Sequence, residues 1–148
     1  GNFIAQFGSS GLNPGQFDEP VGIAIDVQGD VYVADTWNQR VQVFAPDASG
    51  TNFTPLTSWD INGWFGQSLD NKPFIAVDAN QNVYITDPEG FRVLEFDKTG
   101  KFIRGWDNTA NGGAGLALPS GIAIDSSGHV WVSDAGNNDL LRFTMPPQ

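Results

Sequence analysis

The chain contains no cysteine, so neither a disulfide nor a thiolate metal site can form, and oxidising and reducing compartments are equally open to it. Its one histidine, His129, excludes a multi-histidine zinc site within one chain. No apolar run approaches the roughly 20 residues of a membrane helix. No signal-type leader precedes the first expected strand, so this segment is not expected to insert in a membrane. It begins Gly1-Asn2 without an initiator Met, as expected of an excised or processed segment. Basic residues are also few: 7 Lys and Arg stand against 17 acids, a formal net charge of −10. The longest basic grouping, Lys98, Lys101 and Arg104, is diluted by Asp97. A phosphate backbone would be repelled, and nucleic acid is not an expected partner.

What the chain does have is apolar residues at 40% of its length, enough for a packed core, punctuated by 18 Gly and 9 Pro. Turn-makers spread that evenly point to many short strands and essentially no helix. They delimit a repeat. Pro20-Val-Gly-Ile-Ala-Ile-Asp26, Val31-Tyr-Val-Ala-Asp35 and Arg40-Val-Gln-Val-Phe44 are followed by Pro73-Phe-Ile-Ala-Val-Asp78, Val83-Tyr-Ile-Thr-Asp87 and Arg92-Val-Leu-Glu-Phe96. The third set is Pro119-Ser-Gly-Ile-Ala-Ile-Asp125, Val130-Trp-Val-Ser-Asp134 and Asp139-Leu-Leu-Arg-Phe143. Asp35, Asp87 and Asp134 lie 52 and 47 residues apart, close to the period of a propeller blade.

Each unit reads as strands A and B joined by a four-residue turn, then a loop and strand C. A fourth run recurs outside them: Gly1-Asn-Phe-Ile-Ala-Gln-Phe7 matches Gly100-Lys-Phe-Ile-Arg-Gly-Trp106, and Thr54-Pro-Leu-Thr-Ser-Trp59 holds the same slot. Pro55 cannot donate to a ladder, which places this run at the outer edge as strand D. Strands are expected near 21–26, 30–34, 40–45, 74–78, 83–86, 92–96, 121–125, 130–133 and 139–143, with outer strands near 2–7, 54–59 and 101–106. Two departures stand out. The second unit is one residue shorter and lacks the glycine of Gly22 and Gly121, and the third has Asp139 where Arg40 and Arg92 stand.

The motifs Gly-Ile-Ala-Ile-Asp, Val-Tyr-Val-Ala-Asp and Arg-Val-Gln-Val-Phe closely resemble the NHL-repeat family, whose members form β-propellers, often six-bladed. The resemblance spans nearly the whole chain. It implies an all-β fold of three four-stranded blades in a single unit, residues 1–148, half of a six-bladed propeller. Blades run over 20–59, 73–106 and 119–143, the last without its outer strand, while residues 1–7 supply an outer strand to a partner's blade. The stretch Trp64-Phe-Gly-Gln-Ser-Leu-Asp-Asn-Lys-Pro73 with Asp87-Pro-Glu-Gly-Phe-Arg92 is also similar to NHL segments of large bacterial membrane proteins, which implies the extracytoplasmic side of such a membrane.

Unpaired strand edges recruit other chains. Three blades are too few for a ring, since propellers run from about four to eight. A homodimer closed by strand exchange is therefore expected, with Phe3, Ile4 and Phe7 of one copy packing on Leu140, Leu141 and Phe143 of the other. The identically repeated aspartates read as turn caps, and Asp35–Arg40 and Asp87–Arg92 as loop-bracing ion pairs. His129, in a hairpin turn at the position of Asp30 and Asn82, reads as a solvated turn residue.

If the strands alternate in direction, the B–C and D–A loops share one rim that holds Trp37, Trp64, Phe65 and Phe91, partly exposed, with Arg40, Arg92 and Asp139 beside them. Aromatic rings among polar neighbours stack on sugars or grip peptides, so a carbohydrate or protein ligand is expected there; packing between blades is the competing role. No cofactor is expected. Calcium needs only clustered oxygens, and Asp60, Asn62, Asp70 and Asn71 share one loop, which makes it the alternative. The function expected is a non-enzymatic, self-assembling propeller scaffold. Related six-bladed folds include amidating lyases and lactonases with a central divalent ion, so a metal-dependent lyase or lactonase-like enzyme is the other reading. Some eukaryotic NHL proteins bind RNA on a basic rim, which this acidic chain lacks.

Overall fold

A computed structural model describes residues 1–64, 72–107, 109 and 115–146. In chain order the strands are β1 (Ser9–Ser10), β2 (Gln16–Phe17), β3 (Pro20–Ile25), β4 (Val31–Asp35), β5 (Arg40–Pro46), β6 (Phe53–Asp60) and β7 (Ile75–Val77). They continue as β8 (Val83–Asp87), β9 (Arg92–Phe96), β10 (Phe102–Trp106), β11 (Pro119–Ile124), β12 (Val130–Asp134) and β13 (Asp139–Phe143). No helix occurs among the described residues. Two sheets are four-stranded antiparallel meanders, β3-β4-β5-β6 and β7-β8-β9-β10, while β11-β12-β13 has three strands and β1 forms a short parallel bridge with β2.

The expected strands are found within a residue or two, save at 2–7. The short second unit explains its short first strand. In the two units that carry the extra residue, the register slips between Pro20 and Gly22 and between Pro119 and Ile122, whereas β7 pairs with β8 without a slip. Gly22 lies close against the next sheet and against its own neighbour strand. A Cβ there would lie 3.1 Å from Ile75 Cγ2 and 3.2 Å from Ala34 Cβ.

The core lies between sheets rather than within one. Tyr32, Ala34, Val41 and Val43 of the first blade pack on Ile75, Val83, Ile85, Leu94 and Phe96 of the second. Tyr84, Val93 and Trp106 of the second then meet Ile122, Ile124, Val130, Val132, Leu141 and Phe143 of the third. A ring contact recurs at each boundary: Trp59 lies 5.9 Å from Phe96 and Trp106 lies 5.5 Å from Phe143. Phe7 lies 5.1 Å from Phe44, the same contact a third time.

Phe7 therefore occupies the slot of an outer-strand aromatic, and residues 2–7 form no strand within the chain. The ladder partner they would need, a third strand of a preceding blade, is not among the described strands. Phe3 and Ile4 are accordingly exposed. The third blade carries the matching deficit. β4 and β8 are buried along their whole length, but β12 alternates, because the face bearing Trp131 has no neighbour. Leu140 on β13 is 73% exposed, while Leu141 and Phe143 turn the other way, half-buried against the second blade. At the opposite end Ile23 and Ile25 are exposed, although their counterparts Ile75 and Val77 are covered.

Candidate functional site

The loops that join second to third strands, and outer to inner strands, gather at one rim. Asp35, Asp87 and Asp134 end β4, β8 and β12 there, and all three are buried. Such carboxylates must be fully bonded to be tolerated. Asp35 accepts from the Asp18 backbone N–H at 2.8 Å, Asn38 Nδ2 at 2.9 Å, Arg40 Nε at 2.8 Å and Gln42 Nε2 at 3.0 Å. Asp134 accepts from the Ala117 and Leu118 N–H groups at 2.7 Å each. Burial opposes its charge, but these bonds and those from Asn137 and Gly136 outweigh that effect and hold its carboxyl below the ordinary value.

Arg40 also donates to the carbonyls of Leu12, Asn13 and Gln16, and Arg92 to that of Asn62, so each braces the loop entering its blade. In the third blade Asp139 is exposed and sits across the ladder from Asp134. The bracing passes to Asn137, which donates to Asp134 at 3.1 Å and to the Gly115 carbonyl at 2.7 Å, as Asn38 does to Asp35 and Gly11.

The rim aromatics divide. Trp37 is half-exposed, with Lys72 Nζ 5.8 Å from its ring centroid and 2.7 Å from Glu19. Phe91 is also half-exposed and takes φ +53°, a left-handed conformation costly for a large side chain. Its counterparts there are Gln39 and Asn138, at φ 55° and 58°. Trp64 departs from expectation. It is 1% exposed and packs with Ile61, Ala34 and Val41 in the core between the first two blades. Phe65, with Asp70 and Asn71 of the calcium alternative, lies outside the described residues.

The opposite end carries a bonding pattern that the repeats hinted at through one column. Asp26, Asp78 and Asp125 each accept backbone N–H bonds from residues two and four further on. Each also takes a side-chain donor from the second residue of the following strand: Tyr32 at 3.2 Å, Tyr84 at 3.2 Å and Trp131 at 3.0 Å. An aromatic with a polar hydrogen at that position in all three units was the available signal. The Trp131 indole N–H, then the His129 backbone, lower the Asp125 carboxyl. His129 itself caps the turn through Nδ1, 3.0 Å from Asp125.

Glu95, where the sister units have Val43 and Arg142, is a buried carboxylate that sequence reasoning missed. It shares the single Tyr84 O–H with Asp78, at 3.1 Å, and pairs with Arg104 Nε at 2.9 Å. Burial, then the charges of Glu95 and Asp78, push the Tyr84 phenol well up. A cavity of about 370 Å³ opens beside these groups between the second and third blades, lined by Asp78, Asn82, Tyr84, Glu95 and Met145. Among the described residues, no three of His, Asp and Glu converge to hold a metal ion.

Four-stranded antiparallel sheets packed face to face, each with an outer-strand aromatic wedged against the next, are blades of the β-propeller type. A model of the NHL repeat matches residues 17–44 and 116–143, and the chain is an NHL-repeat chain. The second unit, without the extra residue and its glycine, lies outside the matched ranges. The chain is 27% identical over 145 residues to Protein brain tumor of Drosophila melanogaster, covering 95% of this chain and 13% of that protein. It is 31% identical over 144 residues to NHL repeat-containing protein 3 of Mus musculus, covering 93% of this chain and 38% of that one. Among solved structures it resembles a catalytically inactive virginiamycin B lyase from Staphylococcus aureus with quinupristin, at TM-score 0.58 and 14% identity over 92% of this chain and 44% of that one. It thus spans less than half of each of these proteins.

Proposed function

We propose that the chain is a non-enzymatic β-propeller scaffold and binding module, two copies of which close a six-bladed ring. The observation that supports this is the complementarity of its two uncovered faces. The third blade exposes Trp131 and Leu140 on the face that, in the first blade, Tyr32 and Val41 bury against a following sheet. The first blade exposes Ile23 and Ile25, whose counterparts in the second blade are covered by a preceding sheet. Each face is half of a boundary that the chain builds twice internally.

In the ring, residues 2–7 of one copy form the outer strand on β13 of the other, reciprocally, under C2 symmetry. The register of β10 on β9, where Trp106 opposes Val93, Arg104 opposes Glu95 and Phe102 opposes Phe96, transfers directly. Phe7 then faces Leu140, Ala5 faces Arg142 and Phe3 packs by Phe143, while Ile4 falls at the irregular step of that ladder. Trp37 and Phe91 offer aromatic faces on the rim to a carbohydrate or protein ligand, beside Arg40, Arg92 and Asp139. Deleting residues 1–7 should leave monomers or aggregates in sedimentation; a shortened chain that still forms a discrete dimer contradicts the exchange.

The second reading, a metal-dependent lyase or lactonase-like enzyme, draws on one observation, the cavity beside Asp78 and Glu95. Metal analysis of the purified chain separates the two, since stoichiometric zinc or calcium would favour the enzyme.

A further inference from the structure

Between the first two blades, the boundary is plugged from above by Trp64, five residues after the outer-strand Trp59, with Gly63 at φ +107° turning the loop inward. Five residues after Phe7, the loop entering the first blade places Leu12, again behind a glycine of positive φ, Gly11 at +146°. The two loops thus share spacing and turn. Their large side chains differ in fate: Trp64 is buried, whereas Leu12 is 74% exposed. Arg40 Nη1 bonds the Leu12 carbonyl at 2.7 Å, which fixes the backbone while the side chain stays exposed.

The third blade holds the corresponding opening. Ala34 and Val41 belong to the core cluster that holds Trp64, and their counterparts in the third blade are Ser133 and Leu140. These two, with Ser120, Asn138 and Asp139, line an open cavity of about 570 Å³ on the uncovered face.

We propose that this cavity is a docking site for a second copy of the chain, whose Leu12 inserts beside Leu140 as Trp64 inserts beside Val41. The inference rests on the two-copy ring and adds to it a contact outside the exchanged strand. The two serines, where the first blade has Val21 and Ala34, make this seat more polar than its internal counterpart, and it is filled by a smaller side chain. Leu12 and Leu140 together form the apolar floor of the seam above the strand ladder, and the loop that Arg40 braces is preorganised to deliver the anchor.

Leu12→Asp in the full chain tests the seat. The side chain is exposed within its own chain, so folding, read by circular dichroism and thermal midpoint in dilute solution, should be unchanged. The dimer dissociation constant should rise by roughly tenfold to a hundredfold, the loss expected for one buried leucine. Mixed Leu12→Cys and Leu140→Cys chains should give a disulfide-linked pair on oxidation, in a background with no other cysteine. If the parent chain dimerises but Leu12→Asp dimerises as tightly and the cysteines fail to cross-link, the seat is wrong and the ring reading stands. If the parent chain is monomeric, the ring reading falls and the seat with it.

Discussion

Replacing Trp64 by alanine is expected to destabilise the chain by about 3–5 kcal/mol, the range for truncating a fully buried tryptophan. Position on a loop does not spare it. The indole is buried in the cluster that Ala34 and Val41 of the first blade form with Ile75, Val83 and Ile85 of the second, where the surroundings cannot collapse because both sheets are held by their own ladders. Its Nε1 has no hydrogen-bond partner among the described residues, so Trp64→Phe removes a buried polar group together with part of the volume and should cost less than alanine. Urea midpoints of the two variants check the order. A loss below about 1 kcal/mol for Trp64→Ala would mean that the ring is solvent-facing in solution, and would restore it to the rim.

The second large effect is expected at Asp35. Its Oδ2 accepts from Asn38, Arg40 and Gln42, and its Oδ1 from the Asp18 backbone, all at 3.0 Å or less. Asp35→Ala leaves two side-chain amides, the Arg40 Nε and a backbone N–H without this acceptor, a loss of about 3–5 kcal/mol on the scale of breaking a buried pair. Asp35→Asn should be nearly as damaging. Whichever way the amide is turned, its NH₂ group meets donors where the structure requires an acceptor. A near-neutral result for Asp35→Asn, measured by the same denaturant titration, would show that charge and acceptor count at this strand end do not organise the loop.

The blades were legible because each strand announces itself three times over. Alternating branched and aromatic residues end at aspartates of fixed spacing, and the structure needs all of them for the same purpose, to anchor loops on strand ends. Residues 2–7 are like residues 101–106 in sequence and Phe7 takes the same packing slot as Trp106, but within one chain they form no strand. Trp64 was misplaced for a different reason. Its loop membership suggested exposure, whereas its distance from Trp59 and the inward turn at Gly63 return it to the core. Phe91 was correctly given exposure, but the left-handed backbone beneath it is a property of the loop shared with Gln39 and Asn138, visible only once the three loops are superposed in sequence. Glu95 broke no visible pattern because the third strand tolerates variety at that position, and its burial follows from the packing of the second blade on the third.

The account rests on a ring closed by two chains, and the solution mass of the unmodified chain tests it most directly. Light scattering across micromolar concentrations should give a single species of twice the 15.9 kDa chain mass, dissociating on dilution without loss of strand content. A stable, folded particle of one chain mass throughout that range would contradict the closure, and with it the pairing of residues 2–7 on β13.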